Sequence, residues 1–482
     1  MEHTYTNLEI KDRFESAIGK TLGQIDKVGD FERTKTNPKI TGIAGDVVEH
    51  SILGYASDTK QEADIKIDGK DIEVKTTGVR GKYKEPKTYT AKERITITNV
   101  SPKAIAEEKF ESSALWDKLE NTLLAYYLYD NAKPVPAAEY ASFPFLGYQL
   151  HSFSEADKKI IMKDWQLVRD FCAELTEVDK KSDEQAKAYS AAKKDMMYLE
   201  TAPGWKNGPR FALRKSYVNS IIQEHFGAQS TGLSEELTSY SELDQFLAKN
   251  SKRYKNRTVA EISAELGVKQ SSKSVAHSLI TKILNPESDI KKGEEQFDLI
   301  KKSGLVVKVF VVRQGGKKKE NCKFITIDFS ELNQSIIDVH ETDIYEYFSN
   351  TQFLFAIFED GGKDGQLDDV FQGFKRFSFD EQYLESYLVP VLERVNHLLV
   401  DKTLVEKPHI KPDGTPVINK TGVARMTNNL PKSTEGKFFL NGTGSDSNNK
   451  PLKLNGFSFY YQQMWLRGDE MIKLLDEKNT YK

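Results

Sequence analysis

Residues 63–78 read ADIKIDGKDIEVKTTG, with Asp64 ahead of an Asp-Gly pair and Glu73 and Lys75 beyond it. Residues i and i+2 of a strand point to one face, so Glu73 and Lys75 share a face while Ile72, Val74 and Thr76 take the other. Asp68-Gly69 is a strong two-residue hairpin signal, and a hairpin there returns Asp64 to the neighbourhood of Glu73. Two carboxylates and an ammonium then converge. Carboxylate oxygens suit a hard cation such as Mg²⁺, which is held by one or two carboxylates together with substrate phosphate and water. A lysine beside such a cation can orient or deprotonate a water. That set of groups is suited to hydrolysing a phosphodiester. A solvated edge hairpin with a surface ion pair has the same spacing, and this stretch alone does not separate the two.

The neighbouring segments must position these groups. TGIAGDVVEHSILGY, residues 41–55, reads as a helix in which Gly45, Val48, Ile52 and Leu53 fit one stripe. Glu49 follows that stripe and is expected to project toward the strand that starts near Asp64. Downstream, Lys92-Glu93-Arg94 opens ITITNV, which reads as a third strand.

The chain has 482 residues, enough for two to four domains, and 38% hydrophobic with 11% aromatic residues supports real cores. No run approaches the about 18 apolar residues of a membrane span. The charged start MEHTYTNLEIKDRFES lacks an apolar signal region, so no signal peptide is expected. Cys172 and Cys322 lie far apart and form no disulfide or metal pattern, and the eight histidines show no paired-ligand spacing. A reduced, cytoplasmic chain is the expectation. The net charge of −3 gives no basic excess of the kind usual in nucleic-acid binders. The local field matters more than the sum, however. Two basic clusters stand out, KNGPRFALRK at 206–215 and RQGGKKKENCK at 313–323, each open to a DNA-facing or a solvated-loop reading.

Residues 224–241 read as a linker, 174–195 as charged and helical, and 441–451 as a polar loop. RTVAEISAELGV resembles the first half of a helix-turn-helix but reads better as an amphipathic helix ending at Gly267.

An internal repeat is the stronger signal of organisation. Ile95-Thr96-Ile97 recurs as Ile325-Thr326-Ile327, and Leu123-Leu124-Ala125 as Phe353-Leu354-Phe355, both at an offset of 230. Ile52-Leu53-Gly54 pairs with Ile283-Leu284-Asn285, and Ile72-Glu73-Val74-Lys75 with Leu305-Val306-Val307-Lys308. Tyr198-Leu199 pairs with Phe439-Leu440 and Leu213-Arg214 with Leu466-Arg467. The common order suggests duplication of one α/β domain. The copies differ where chemistry would sit: Val306 replaces Glu73, Ile280 replaces Glu49, and Asp64 falls near Asp298 without a clear register, while Lys308 keeps the place of Lys75. One competent half and one binding half are therefore expected.

A helix carboxylate, then Asp, then E-x-K on adjacent strands is the active-site plan of the PD-(D/E)xK nucleases. With GIAGDVVEHSILG, the D…IEVKTT element, AKERITITNV, FESSALWDKLENTLLAYY, RFALRKSYVNSII, TVAEISAELGV and LPKSTEGKFF, the chain resembles the MutH-type type II restriction endonucleases. These are the Sau-type enzymes with two MutH-like halves that cut at GATC. The resemblance implies an α/β fold of two restriction-endonuclease-like domains, each a mixed sheet flanked by helices. Residues 1–235 would be the catalytic domain and 240–482 an inactive DNA-binding effector domain. It also implies Mg²⁺ ligation by Asp64 and Glu73, with Glu49 ligating directly or through water, and a water-positioning role for Lys75. Lys118 matches a further lysine near the active site and the DNA, and Trp205, Lys206, Arg210, Arg214 and Lys215 are expected on the DNA. The implied partner is double-stranded DNA, at two sites at once, bound by a chain that is monomeric when free and able to dimerise on DNA. The chain departs from the family at Ala202-Pro203-Gly204 and Ala212, where MutH has Arg-Pro-Lys and a tyrosine, and at Asn441-Gly442-Thr443. A nicking enzyme or a nuclease for modified DNA of other specificity is the alternative.

Overall fold

The computed structural model describes residues 3–477, except 39, 56–62, 132–134, 176–179, 228–236, 271–274, 285–297, 319, 336, 363–365, 419–421 and 445–449. The chain forms two compact units, Met1–Leu243 with Gln296–Gly304, and Asp244–Glu295 with Leu305–Lys482. A short return segment thus belongs to the first unit, which the sequence-based division at 235–240 did not anticipate. Much of the expected linker lies outside the described residues, between helices Lys215–His225 and Tyr240–Tyr254. So do parts of the segments at 174–195 and 441–451.

Among the described residues, the first unit carries the strands β1 (Thr4–Tyr5), β2 (Ile65–Ile67), β3 (Lys70–Arg80), β4 (Thr90–Ala91), β5 (Ile95–Asn99), β6 (Thr122–Leu128), β7 (Phe145–His151), β8 (Leu199–Ala202) and β9 (Arg210–Leu213). The main sheet runs β1-β2-β3-β6-β7, with β4 also on β3. β2 and β3 are antiparallel, β3 and β6 parallel, and β6 and β7 antiparallel. The β2–β3 turn has Asp68 at φ 47° and Gly69 at φ 81°, the double positive φ of a type I′ hairpin. β3 is not an edge, because β2 and β6 flank it. That removes the solvated-hairpin reading and explains why Ile72, Glu73 and Val74 are all buried in succession. β6, TLLAYYL, is buried at every position. Ile65, Ile67, Ile72, Val74, Leu123 and Ala125 pack with Val47, Val48, Ile52 and Leu53 into one core, so the helical stripe read from sequence does face the sheet. ITITNV forms β5 as a strand, and it joins a separate sheet, β5-β9-β8.

The second unit carries β10 (Val306–Arg313), β11 (Lys317–Lys318), β12 (Cys322–Thr326), β13 (Phe353–Glu359), β14 (Val370–Phe377), β15 (Glu406–Pro408), β16 (Met426–Asn428), β17 (Phe438–Gly442), β18 (Leu452–Leu454), β19 (Phe457–Phe459) and β20 (Gln462–Leu466). Its sheets run β11-β10-β13-β14 and β12-β20-β17, with β15–β16 and β18–β19 as two-stranded ribbons. β10 and β13 are parallel and β13 and β14 antiparallel, the same succession as β3, β6 and β7. The small sheet likewise repeats the β5-β9-β8 pattern.

Hydrogen bonds correct the register of the sequence repeat. Glu73 N–H donates to Asn121 O at 3.1 Å and Val306 N–H to Gln352 O at 2.9 Å. Glu73 thus corresponds to Val306, as the repeat has it, but Leu123 then corresponds to Leu354 rather than Phe353. Ile95 faces Leu213 and Cys322 faces Leu466, so the pairing of Ile95 with Ile325 is also displaced, while Leu213 with Leu466 holds. TVAEISAELGV forms a helix over Val259–Leu266, opened by a Thr258 capping box and closed by Gly267 at φ 67°. No helix among the described residues is long and apolar enough to cross a membrane.

Candidate active site

The type I′ turn pairs Ile65 with Ile72, and one step further the register sets Asp64 opposite Glu73. The Val74 N–H donates to Asp64 Oδ2 at 2.8 Å, which locks the first carboxylate to the strand that bears the second. Glu73 is 1% exposed. Lys75 Nζ donates to Glu73 Oε1 at 2.6 Å. Lys118 Nζ reaches the same carboxylate at 3.0 Å and 3.2 Å. Lys118 rides on the helix Ala114–Leu119, whose N-terminus is capped by Ser113 and whose Leu115, Trp116 and Leu119 are buried. That helix runs directly into β6, the parallel neighbour of β3, which is how a residue 45 positions away arrives at Glu73.

The electrostatics follow from this packing. Burial raises the Asp64 carboxyl above the ordinary carboxylate value, and the Glu73 charge adds to it. The Val74 N–H, Lys75 and Lys118 oppose the rise without cancelling it. Asp64 and Glu73 are two close carboxylates of like charge, and a divalent cation between them would relieve their mutual repulsion.

Glu49 comes from a different element than the sequence suggested. The α-helix covers only Ile43–Val47, and Val48–Leu53 forms a π-helical turn. Such wide turns recur at functional sites. The Gly54 and Tyr55 N–H groups both donate to Glu49 O, at 2.8 Å and 3.1 Å, and Gly54 closes the turn at φ 87°. His50 is directed elsewhere, with Nδ1 2.8 Å from Asp30 Oδ1. Glu49 is half-buried, and its charge, with those of Asp64 and Glu73, acts on the Tyr55 hydroxyl.

Among the described residues, no three His, Cys, Asp or Glu side chains gather closely enough to cage a metal ion on their own. Asp64 and Glu73 nevertheless fit a cation of the Mg²⁺ kind, which needs only one or two carboxylates and takes its other oxygens from water and phosphate.

The expected DNA contacts divide. Lys206, Asn207 and Arg210 are exposed on the β8–β9 connection. Lys206 is ion-paired with Asp183. Lys215 is half-buried at the start of helix Lys215–His225. Trp205 is 2% exposed and packs against Phe171 and Tyr189 at centroid distances of 5.0 Å and 4.9 Å, with Nε1 3.3 Å from Gln185 Oε1. Arg214 is buried too, donating to the carbonyls of Leu199 at 2.9 Å and Met196 at 3.0 Å. The structure therefore sets Trp205 and Arg214 in the core rather than on the surface, because both fasten the connection that carries the exposed residues. Asp164, fully buried, completes the clamp by accepting the N–H groups of Met197, Tyr198 and Leu199 at 2.7–2.8 Å.

In the second unit Lys308 occupies the place of Lys75 but has other partners. Its Nζ donates to Lys323 O at 2.8 Å and lies 5.0 Å from the centre of the Phe324 ring. Burial pulls its pKa below the ordinary lysine value. Both cysteines are free and buried.

Residues 53–164 match the family model described as DNA mismatch repair enzyme MutH, a span that contains Asp64, Glu73, Lys75 and Lys118 but begins after Glu49. The chain is also similar to the type II restriction enzyme Sau3AI of Staphylococcus aureus. The two are 23% identical over 415 residues, covering 79% of this chain and 78% of the relative.

Proposed function

We infer from the MutH match and the Sau3AI-like span that this chain is a type II site-specific deoxyribonuclease of the MutH type. We propose further that it cuts both strands of DNA at a short site with Mg²⁺, and that the site is GATC, cut 5′ of the G to leave four-base overhangs. The observation that carries the reading is the convergence of Asp64, Glu73 and Lys75 on adjacent strands, with the Asp64 carboxylate tied to Val74 N–H at 2.8 Å.

Asp64 and Glu73 would hold the cation, with Glu49 adding a ligand directly or through water. When bound, such a cation supplies charge neutralisation at the scissile phosphate and acidifies a water. Lys75, fixed 2.6 Å from Glu73 Oε1, presents its ammonium to the attacking water and holds it in line. Lys118 balances the Glu73 charge and keeps that carboxylate in one orientation. Burial of Glu73 excludes bulk solvent and strengthens each of these interactions. The exposed Lys206, Asn207 and Arg210 supply the contacts from which base reading would come, and Trp205 and Arg214 hold their loop in place. The second unit, matched in strand pairing but with Val306 at the place of Glu73, is proposed to bind a second DNA site and to raise cleavage at the first.

A digest of unmethylated plasmid DNA with Mg²⁺ or with EDTA, followed by sequencing of the ends, tests the proposal. Mg²⁺-dependent fragments beginning at GATC are expected. Ends at another sequence would remove GATC and keep the nuclease. Cleavage that persists in EDTA would remove the cation. Full activity from residues 1–235, which lack even the Gln296–Gly304 segment of the first unit, would remove the effector role.

A further inference from the structure

Between Leu404 and Leu430, both buried, the second unit sends out an arm in which none of the described residues is buried. Its base is the β15–β16 ribbon, pinned by Val405 N–H donating to Asn429 Oδ1 and Asn429 Nδ2 donating to Thr403 O, each at 3.0 Å. Further out, three segments are knitted through the backbone. His409 N–H donates to Arg425 O, Val417 N–H to His409 O and Arg425 N–H to Val417 O, at 2.7–2.8 Å. A ribbon without a packed face is marginal by itself in water. This one nevertheless exposes Ile410, Ile418 and Val423 by 50%, 53% and 44%. Three such side chains on one small element, rather than scattered singly, mark a surface that meets a partner.

Charge identifies the partner. The two carboxylates of the arm are both engaged: Glu406 Oε1 accepts from Lys450 Nζ at 3.3 Å, and Asp413 Oδ1 accepts from the N–H and hydroxyl of Thr415 at 2.9 Å and 2.6 Å. Lys407, Lys411 and Arg425 are exposed and have no ion pair among the described residues, so the uncompensated charge of the arm is all positive. Topology supplies the location. The arm stands between helix Val389–Val400 and β17, where the first unit has helix Asp183–Ala192 between helix Glu155–Ala173 and β8. In the first unit that helix holds the β8–β9 connection, through Asp183 with Lys206 and Gln185 with Trp205. The Glu406–Lys450 pair likewise ties the arm to the β17–β20 connection of the second unit.

We infer that this arm is a DNA-embracing element of the second unit: Lys407, Lys411 and Arg425 meet phosphates of a duplex, and Ile410, Ile418 and Val423 lie against its groove. The inference rests on the proposed binding of DNA by the second unit and names a surface that does it. Cations on the flanking phosphates fix the position of such an arm, and apolar side chains set against base steps occupy the groove.

The test uses the full chain in EDTA on a linear fragment of unmethylated plasmid DNA. Lys407→Gln, Lys411→Gln and Arg425→Gln together should lower the salt slope of binding by about three, one for each phosphate no longer neutralised, with the melting temperature unchanged. Because Cys172 and Cys322 are buried, an iron–EDTA reagent can be tethered selectively to Lys411→Cys, and it should cut the bound DNA at discrete positions. The same reagent on Asn441→Cys, an exposed position of β17, reports whether the second unit meets DNA at all. Cutting from Asn441→Cys but not from Lys411→Cys, with an unaltered salt slope in the triple variant, would overturn the inference. Cutting from neither would remove the DNA site of the second unit, and the inference with it. Loss of self-association in sedimentation on Ile410→Ser with Ile418→Ser, at unchanged DNA affinity, would make the arm a contact between copies of this chain instead.

Discussion

Lys118 Nζ lies 3.0 Å from Glu73 Oε1, the same oxygen that Lys75 Nζ approaches at 2.6 Å. One buried carboxylate therefore organises two ammoniums that come from different elements. Lys75 is rigid on the strand, while Lys118 depends on the docking of the helix before β6. Their contributions to cleavage should differ accordingly. Lys75→Met is expected to lower the single-turnover rate by about 10²–10⁴-fold, the usual size of a lost proton-handling group, with DNA affinity nearly unchanged. Lys118→Met should cost less, about tenfold, by loosening Glu73. Equal wild-type rates in both variants would mean that these lysines do not serve the reaction.

Glu73 should be tested with Gln before Ala. Either replacement leaves the two half-buried ammoniums of Lys75 and Lys118 without their carboxylate, but Ala also leaves a cavity at a buried position. Glu73→Gln keeps the shape and some of the hydrogen bonding. It should abolish Mg²⁺-dependent cleavage while DNA retention in a gel-shift assay persists. A variant that cuts at the wild-type rate would rule out Glu73 as a ligand.

Asp64 has the opposite effect on stability. Its folded-state pKa is raised, so the folded protein holds that proton more tightly than the unfolded chain does. As pH rises from the unfolded value of about 3.9 through the raised folded value, stability is lost. Asp64→Asn removes the penalty and can still accept the Val74 N–H. Metal-free thermal melts should show the variant equal to or above wild type near pH 8, with the difference closing toward about pH 3, where both side chains are neutral. A variant that melts lower at high pH would contradict the assigned direction. The same substitution should eliminate cleavage.

Arg210 and Lys206 should separate cleanly from Arg214 and Asp164. Arg210→Ala and Lys206→Ala are expected to weaken DNA binding with unchanged melting. Each should also lower the salt slope by about one for every phosphate it no longer neutralises. Asp164→Ala leaves three buried N–H groups unpaired at about 1–3 kcal/mol each, so denaturant titration should show a large loss of stability. Salt slopes that change with Arg214→Met but not with Arg210→Ala would reverse the assignment.

His340 gives the second unit a pH signature. Its ring nitrogens lie 2.6 Å from Asp338 Oδ1 and 3.0 Å from Glu385 Oε1. Burial pulls its pKa down, but the two carboxylates outweigh burial and the net direction is upward. The contribution to stability is therefore fully present below the unfolded value of about 6.5 and is lost as pH rises through the higher folded value. The melting difference between wild type and His340→Gln should be larger at about pH 6 than at about pH 9. A difference that does not depend on pH would show that the ring is neutral in the folded state.

The hairpin was legible because its determinants are local. Asp68-Gly69 fixes the turn, the turn fixes the register, and the register sets Asp64 against Glu73. Lys118 could be matched only loosely, since its arrival at Glu73 depends on the non-local parallel pairing of β3 with β6. Trp205 and Arg214 were misplaced for a different reason. A basic, aromatic stretch has the same composition whether it meets DNA or anchors a loop, and only burial separates Arg214 from Arg210. The repeat was readable as an order of strands but not as a register. Runs such as Leu123-Leu124-Ala125 and Phe353-Leu354-Phe355 are apolar at every position and buried on both faces, so no residue marks a one-step slip. The π-helical turn that carries Glu49 was not legible, because one extra residue in a helical turn leaves the apolar stripe nearly intact.

Lys308 donates to the Lys323 carbonyl at 2.8 Å beneath the Phe324 ring, so the lysine that the second unit retains now braces β10 against β12. A glutamate restored at position 306 would meet an ammonium that already has a partner. On the proposed division of labour, a single replacement at position 306 would therefore not give the second unit the Glu73–Lys75 pair of the first, because Lys308 is already engaged elsewhere.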